Sequence, residues 1–196
     1  EAGRLVLGSN TAFGRGTTVT VLSGASLDIN NTYHGNADNG ARRFNVVLAG
    51  AGDGTAVNPA LGNTNATGPN ASVGIYNLTL AANATFGGNG GRFDIGRIEG
   101  SEAYGEISSA AGQTFTLTKV GSNQVNLRGR VSALNLVVSG GTVGFEDSDV
   151  VRSVPATVNS GATLGPLGLR TVAAPLTLHH APNPHTLRGR TGTPTR

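Results

Sequence analysis

The densest group of residues able to bind a metal ion is the acidic cluster EDSD at 146–149. Ca²⁺ takes about six to eight oxygen ligands in proteins, and Glu146, Asp147 and Asp149 could supply some of them. The sequence offers no second acidic cluster that would complete such a shell. We therefore interpret the cluster as a solvated turn, with these three residues only as weak candidate metal ligands, and we predict no cofactor.

Two glycine-rich segments match short ligand-binding motifs only in part. Residues 87–94, GGNGGRFD, are similar to the calcium-binding nonapeptide GGxGxDxUx, but Asp94 lies two positions late and the unit does not repeat. Residues 50–54, GAGDG, lack the Lys-Ser/Thr pair and the βαβ context of a phosphate-binding loop. Both segments predict turns.

The residues that could perform acid–base or nucleophilic chemistry do not form a recognisable constellation. Enzymes that cleave polysaccharides use paired carboxylates, whereas the candidate acidic residues outside the cluster are scattered along the chain; they include Asp28, Asp94, Glu99, Glu102 and Glu106. The four histidines, His34, His179, His180 and His185, lie in no G-x-S-x-G or HExxH context. Cysteine is absent. We predict no catalytic residues and no enzymatic activity.

The composition indicates the kind of fold that would position any functional residues. Of 196 residues, 31 are glycine, 5% are aromatic and 13% are charged, and Trp, Met and Cys are absent. A core of Val, Leu, Ile and Phe alone must be thin and repetitive. No segment combines helical periodicity with caps, and no apolar run is long enough to span a membrane. We predict an all-β chain of stacked strands and tight turns.

Apolar residues alternate with polar ones in most of the chain. In residues 18–29 the alternation directs Val19, Val21, Leu27 and Ile29 inward and leaves Thr18, Thr20 and Asp28 outside. A unit of an apolar residue, a bend at Gly or Asn, and a second apolar residue recurs as Val21/Gly24/Leu27, Leu80/Asn83/Phe86, Val138/Gly141/Val143 and Val158/Gly161/Leu164. These spacings are near multiples of about 20 residues, which is typical of a β-solenoid. Residues 50–72 predict a long loop insertion outside the column.

Several segments resemble one known family, the autotransporter-associated β-strand repeat of bacterial surface proteins. LTKVGSNQVNL (117–127) resembles the family step LTKTGxGxLxL, and VVSGGTVGF (137–145) resembles VxxGTLxF. Residues 3–30 and 77–96 are similar to further units, so the resemblance covers roughly 3–170. It implies a right-handed parallel β-helix in an extracellular or cell-surface passenger used for adhesion, coating or stalks.

We therefore predict a β-solenoid domain over 1–172 and a basic, Pro/His/Arg-rich tail over 173–196, extended or disordered. After Asp149 the chain contains five arginines and no acidic residue. A basic charge confined to this end does not favour nucleic-acid binding. We expect an extracellular structural or adhesive role, within a longer column or an end-to-end fibre, and contact with glycans or cell surfaces. The alternative is a carbohydrate-active β-helix that binds or cleaves an acidic polysaccharide.

Open terminal turns of a solenoid expose unpaired strand edges, so self-association is expected at the two ends of the column. The residues predicted to make this contact are Leu5, Val6 and Leu7 at one end and Val158, Leu164, Leu167 and Leu169 at the other.

Overall fold

The structure is a computed structural model that describes residues 3–14, 16–32, 43–66, 75–96, 104–146, 154–167 and 175–180. Every regular element in these ranges is a β-strand. In chain order the strands are β1 (Arg4–Val6), β2 (Thr18–Val21), β3 (Ser26–Asp28), β4 (Phe44–Leu48), β5 (Leu61–Gly62), β6 (Ile75–Leu80), β7 (Ala84–Gly87), β8 (Phe93–Ile95), β9 (Glu106–Ser109), β10 (Phe115–Val120), β11 (Gln124–Leu127), β12 (Arg130–Ser132), β13 (Leu134–Val138), β14 (Thr142–Glu146), β15 (Ala156–Val158), β16 (Thr163–Leu167) and β17 (Leu176–Leu178).

The strands form three sheets, and every recorded strand pairing is parallel. Sheet A has eight strands in the order β1-β3-β5-β7-β10-β13-β15-β17. Sheet B has the order β12-β9-β6-β4-β2, and sheet C has the order β16-β14-β11-β8. Two successive passages, β7-β8-β9 and β10-β11-β12, visit sheets A, C and B in that sequence. Each passage therefore adds one strand to the same edge of each sheet.

The residue step between neighbouring strands of sheet A changes along the chain. Lys119, Val138, Val158 and Leu178 are successive register partners, so the steps are 19, 20 and 20 residues. Before Lys119 the register partners are Leu5, Leu27, Leu61 and Phe86, and the steps are longer. A spacing of about 20 residues, as expected from the sequence, therefore separates the C-terminal strands of sheet A, and it is exceeded most between Leu27 and Leu61 and between Phe86 and Lys119.

The recurring unit occupies two different corners. Val21 and Leu80 end strands of sheet B, and the bends after them lead into sheet A. Val138 and Val158 end strands of sheet A, and their bends lead into sheet C. The spacing from Leu80 to Val138 is therefore not a whole number of turns. The recurring sequence unit therefore indicates a strand, a bend and a second strand. This local geometry is the same at both corners, although the bends connect different pairs of sheets.

The core follows the predicted alternation. In β4 and β13 the first, third and fifth residues are buried while the two between them are partly exposed. Val21, Leu27 and Ile29 are buried as predicted, and Val19 packs against the core. Burying an aliphatic side chain of this size stabilises the fold by about 1.5–3 kcal/mol. Stacked apolar rows thus supply the main favourable free energy of folding.

The segment 50–72 is not wholly an insertion. Leu61 and Gly62 form β5, which lies between β3 and β7 in sheet A. Ala60 and Leu61 are completely buried in the core. The prediction of one loop outside the column is wrong at this point, because a two-residue strand among Gly, Asn and Pro shows no alternation in the sequence.

Sheet A also continues past residue 172, where the predicted tail begins. Leu176, Thr177 and Leu178 form β17 and pair in register with Ala156, Thr157 and Val158. The prediction of a tail therefore included one strand of the sheet, and residues 181–196 lie outside the described ranges.

Close stacking of the corners requires glycine at some bends. Gly121 has a φ of 77°. A Cβ atom at Gly121 would collide with the backbone of Gly88 in the preceding turn. Gly161 has a similar φ of 79°, but no atom lies within 4 Å of the position that its Cβ would take.

Candidate functional site

One face of sheet C carries a group of charged and amide side chains. Phe93 and Ile95 of β8 point into the core, so Asp94 between them lies on the outer face. Asn126 of β11 is the register partner of Asp94, and Gly144 of β14 is the next partner in the row. We call Arg92, Asp94, Asn126, Arg128 and Glu146 the sheet C cluster.

Arg92 joins the two carboxylates of the cluster. Its Nε donates to Oδ1 of Asp94 at 2.8 Å, and its Nη2 donates to Oδ2 of Asp94 at 2.8 Å. The same Nη2 donates to Oε2 of Glu146 at 2.7 Å. Because one nitrogen serves both acids, their oxygens lie no further apart than the sum of these two distances. Arg128 adds a longer contact from Nη1 to Oδ2 of Asp94, at 3.4 Å.

Amide side chains extend the cluster across three neighbouring strands. Asn126 donates from Nδ2 to Oε2 of Glu146 at 2.6 Å. Gln124 donates from Nε2 to Oδ1 of Asn126 at 2.8 Å. Since Asp94, Asn126 and Glu146 belong to β8, β11 and β14, the cluster links three neighbouring strands of sheet C on their outer face.

The electrostatics of the cluster centre on Asp94, whose side chain is completely buried. Burial raises the pKa of Asp94 to about 6, although the bond from Arg92 acts in the opposite direction. The negative charge of Glu146 raises this pKa further. A carboxyl group with a raised pKa beside a second carboxylate is the arrangement that general acid–base chemistry uses.

The predicted acidic cluster at 146–149 has only one member in the described residues. Glu146 accepts hydrogen bonds from Arg92 and Asn126. Asp147 and Asp149 lie outside the described ranges. Within those ranges no group of three or more His, Asp or Glu side chains is placed to hold a metal ion.

A second notable region is the edge of sheet A formed by β1. Leu5 and Val6 are 52% and 46% exposed. A cavity of about 300 Å³ opens here, and its apolar lining includes Leu5, Val19, Val21 and Leu27. On the outer face Arg4 donates to Asp28 and to Thr64, which fixes β1 to the next two turns.

The opposite edge of sheet A is β17. Leu176 and Leu178 are 53% and 71% exposed, and both belong to the rows that point inward in the preceding strands. The exposed apolar edge of sheet A therefore lies at 176–178, whereas the predicted range 158–169 contains β16, the terminal strand of sheet C.

Of the other residues predicted for self-association, two are buried and two lie in β16, the terminal strand of sheet C. Leu7 and Val158 are buried, and β17 pairs with the strand that contains Val158. These two predictions are wrong, because each residue packs within its own chain. Leu164 is partly buried against the core, and Leu167 is the last residue of β16. Leu169 lies outside the described ranges.

Lys119 is a buried charged group within the column. It is the only lysine of the chain and occupies an inward row between Phe86 and Val138. Its side chain is completely buried. Nζ donates to the carbonyl oxygens of Val120 and Gly121 at 2.9 and 3.0 Å, and to that of Gly140 at 3.3 Å. Burial lowers the pKa of Lys119 to about 8.

Arg92, Arg128 and Asn126 are members of the sheet C cluster that no sequence motif indicated. One signal was present: Arg92 directly precedes β8 and lies two residues from Asp94, so in extended chain both side chains lie on one face. The partner Glu146 is 54 residues from Arg92, and only the register of sheet C brings them together.

These features define an all-β chain of parallel strands in three sheets, with a charged cluster on one outer face and apolar strand edges at the ends of sheet A. No family model, no curated protein and no solved structure matches the chain. None of the described residues forms a helix with the length and hydropathy that crossing a membrane requires.

Proposed function

We propose that the chain is a non-catalytic structural or adhesive element, folded as a right-handed parallel β-helix and exposed outside the cell or on a bacterial surface. The observation that carries the proposal is the eight-stranded parallel sheet A, in which each passage of the chain adds one strand. Repetition of one unit produces length and a regular lateral surface, which are the properties of a stalk or coat.

Several features support the β-helix. Two successive passages visit sheets A, C and B in the same sequence, and inward apolar rows run from strand to strand. Parallel crossovers are right-handed in nearly all proteins, which favours the right hand. The sequence is also similar to autotransporter-associated β-strand repeats over the steps at 117–127 and 137–145.

Small-angle X-ray scattering and circular dichroism test the column together. Eight strands of sheet A at a spacing of about 4.8 Å give a column about 35 Å long. We expect a β-sheet spectrum without helix and a maximum dimension at least as large as this column. A helical spectrum, or scattering from a random chain, would refute the fold on which the function rests.

The adhesive role is tested by binding of the purified chain to bacterial cells and to arrays of glycans. We expect binding that is retained in the Asp94→Asn variant, since adhesion does not require acid–base chemistry. Turnover of a bound glycan by the parent chain would contradict a non-catalytic role.

The sheet C cluster favours one second candidate, a β-helix that binds or cleaves an acidic polysaccharide. Asp94 and Glu146 share one guanidinium nitrogen, so two carboxyl groups lie close enough for paired acid–base work. The test is product formation on a panel of acidic polysaccharides. Activity that is lost in both Asp94→Asn and Glu146→Gln would establish this candidate, and no product from any substrate would remove it.

A further inference from the structure

We propose that a second copy of the chain docks head to tail, with the β17 edge of one copy pairing to the β1 edge of the next, so that sheet A continues through the junction. This inference rests on the proposed column.

The two edges are complementary because they belong to the same parallel sheet. β1 and β17 are the first and last strands of sheet A, and in the described residues each pairs on one side only. A parallel strand offers N–H and C=O groups alternately to its two sides. The outer side of β17 therefore presents what the next strand of the sheet requires.

Backbone hydrogen bonds show which groups face outward at β17. Pro175 accepts a bond from Ala156 N–H at 3.0 Å, and His179 N–H donates to Val158 O at 2.9 Å. Pro175 and His179 thus face β15. By alternation, Leu176 and Leu178 direct their backbone groups away from the sheet.

Backbone hydrogen bonds also show which groups of β1 face away from β3. Gly3 accepts a bond from Ser26 N–H, and Leu7 N–H donates to Asp28 O, both at 2.9 Å. Gly3 and Leu7 therefore face β3. The backbone groups of Arg4 and Val6 then face outward, toward the position of a preceding strand.

Both requirements are met with Leu178 opposite Leu5, and also after a shift of two residues; the inward row of sheet A selects Leu178 opposite Leu5. This register repeats the bonding pattern between β15 and β17, with Leu178 N–H donating to Arg4 O and Val6 N–H donating to Leu178 O. It also continues the inward row that runs from Leu5 and Leu27 to Val158 and Leu178. A slip of one residue would move the leucine to the outer face.

The side chains at the two edges also match in shape. At the β1 end the cavity of about 300 Å³ has Leu5, Val21 and Leu27 in its lining. At the β17 end the exposed leucines Leu176 and Leu178 project from the sheet. Docking in this register places these leucines beside the cavity, so both apolar surfaces leave water together. Because the two surfaces differ, the contact is heterologous and repeats without closing, which produces a fibre.

Disulfide trapping tests the proposal, since the parent chain has no cysteine. In the proposed register Val6 of one copy lies opposite His179 of the other, both on the outer face, at a separation suited to a disulfide. Val6→Cys and His179→Cys chains are mixed and oxidised. We expect the mixed dimer to exceed each homodimer about tenfold.

Two matched controls locate the contact. Thr177→Cys lies on the same face of β17 but two residues out of register, and Thr20→Cys is exposed on sheet B. Neither is expected to cross-link to Val6→Cys above the homodimer level. Equal cross-linking by Thr177→Cys or Thr20→Cys, or no mixed dimer, would overturn the proposal.

Leu178→Asp provides a second measurement that does not require oxidation. We expect it to abolish oligomers in sedimentation while leaving the circular dichroism spectrum unchanged. A monomeric parent chain with the expected scattering dimension would refute the head-to-tail contact and leave the proposed column standing. A parent chain without that dimension would refute the column itself.

Discussion

The buried side chain of Lys119 titrates within an experimentally accessible pH range, so its titration tests the interior of the proposed column. Its pKa is lowered from 10.5 to about 8 because the side chain is buried. The unfolded chain therefore holds this proton over a pH range in which the folded chain has released it. Between pH 8 and 10.5 the unfolded state binds more protons, so the contribution of Lys119 to the free energy of unfolding rises with pH.

The magnitude follows from the size of the shift. Each pKa unit corresponds to about 1.4 kcal/mol, so complete deprotonation removes a penalty of at most about 3 kcal/mol. The Lys119→Met variant keeps the length of the side chain and has no titrating group at this position. It also leaves the carbonyl oxygens of Val120, Gly121 and Gly140 without a donor from this side chain.

The assay is urea unfolding of the parent chain and of Lys119→Met at intervals from pH 7 to pH 10.5. Other groups titrate equally in both chains, so the difference between the two free energies isolates Lys119. We expect that difference to move in favour of the parent chain by about 2–3 kcal/mol across the range. Parallel curves for the two chains would show that the lysine titrates normally in the folded state and would refute its burial in the apolar row.

The remaining predictions concern the corners and the sheet C cluster. Gly121→Ala should destabilise the fold by about 3 kcal/mol through a backbone clash, whereas Gly161→Ala should cost only about 1 kcal/mol of backbone strain. Thermal unfolding measures both losses of stability. Similar losses for the two variants would contradict the close stacking at Gly121. Arg92→Ala leaves the buried Asp94 without its main partner and should lower the free energy of unfolding by about 3 kcal/mol. The double variant Arg92→Ala/Asp94→Ala should recover most of this loss. If the losses of the two single variants simply add in the double variant, the result would be inconsistent with the ion pair. The raised pKa of Asp94 means that the folded state binds more protons between pH 3.8 and about 6. The free energy of unfolding of the parent chain relative to Asp94→Asn should therefore rise as the pH falls from 7 to 4, and a fall would contradict the raised pKa.

Long strands could be predicted from the sequence because the alternation of apolar and polar residues is visible within each strand. β4 and β13 bury every second residue, as their patterns of apolar residues indicate. β5 could not be predicted, since two residues do not define a period and their position in sheet A depends on β3 and β7. The positions of the bends could be predicted from Gly and Asn in the recurring unit. Which sheets each bend connects could not, because it depends on how all the strands pair.

The sheet C cluster and the interior position of Lys119 required the register between distant strands. Arg92 and Glu146 meet only because β8, β11 and β14 stack without slip. Lys119 was missed for a different reason: a lysine in an alternating strand is normally expected outside. Here the carbonyl oxygens of Val120 in the same strand and of Gly140 accept hydrogen bonds from its ammonium group, and no local sequence pattern predicts this arrangement.

Electron microscopy of the negatively stained chain, over a range of concentrations, tests the structural role most directly. A structural column that docks through the two edges of sheet A predicts fibres one column wide whose length grows with concentration. Eight strands per copy at about 4.8 Å give an axial repeat of about 38 Å per subunit. Isolated particles at every concentration would contradict assembly through these edges.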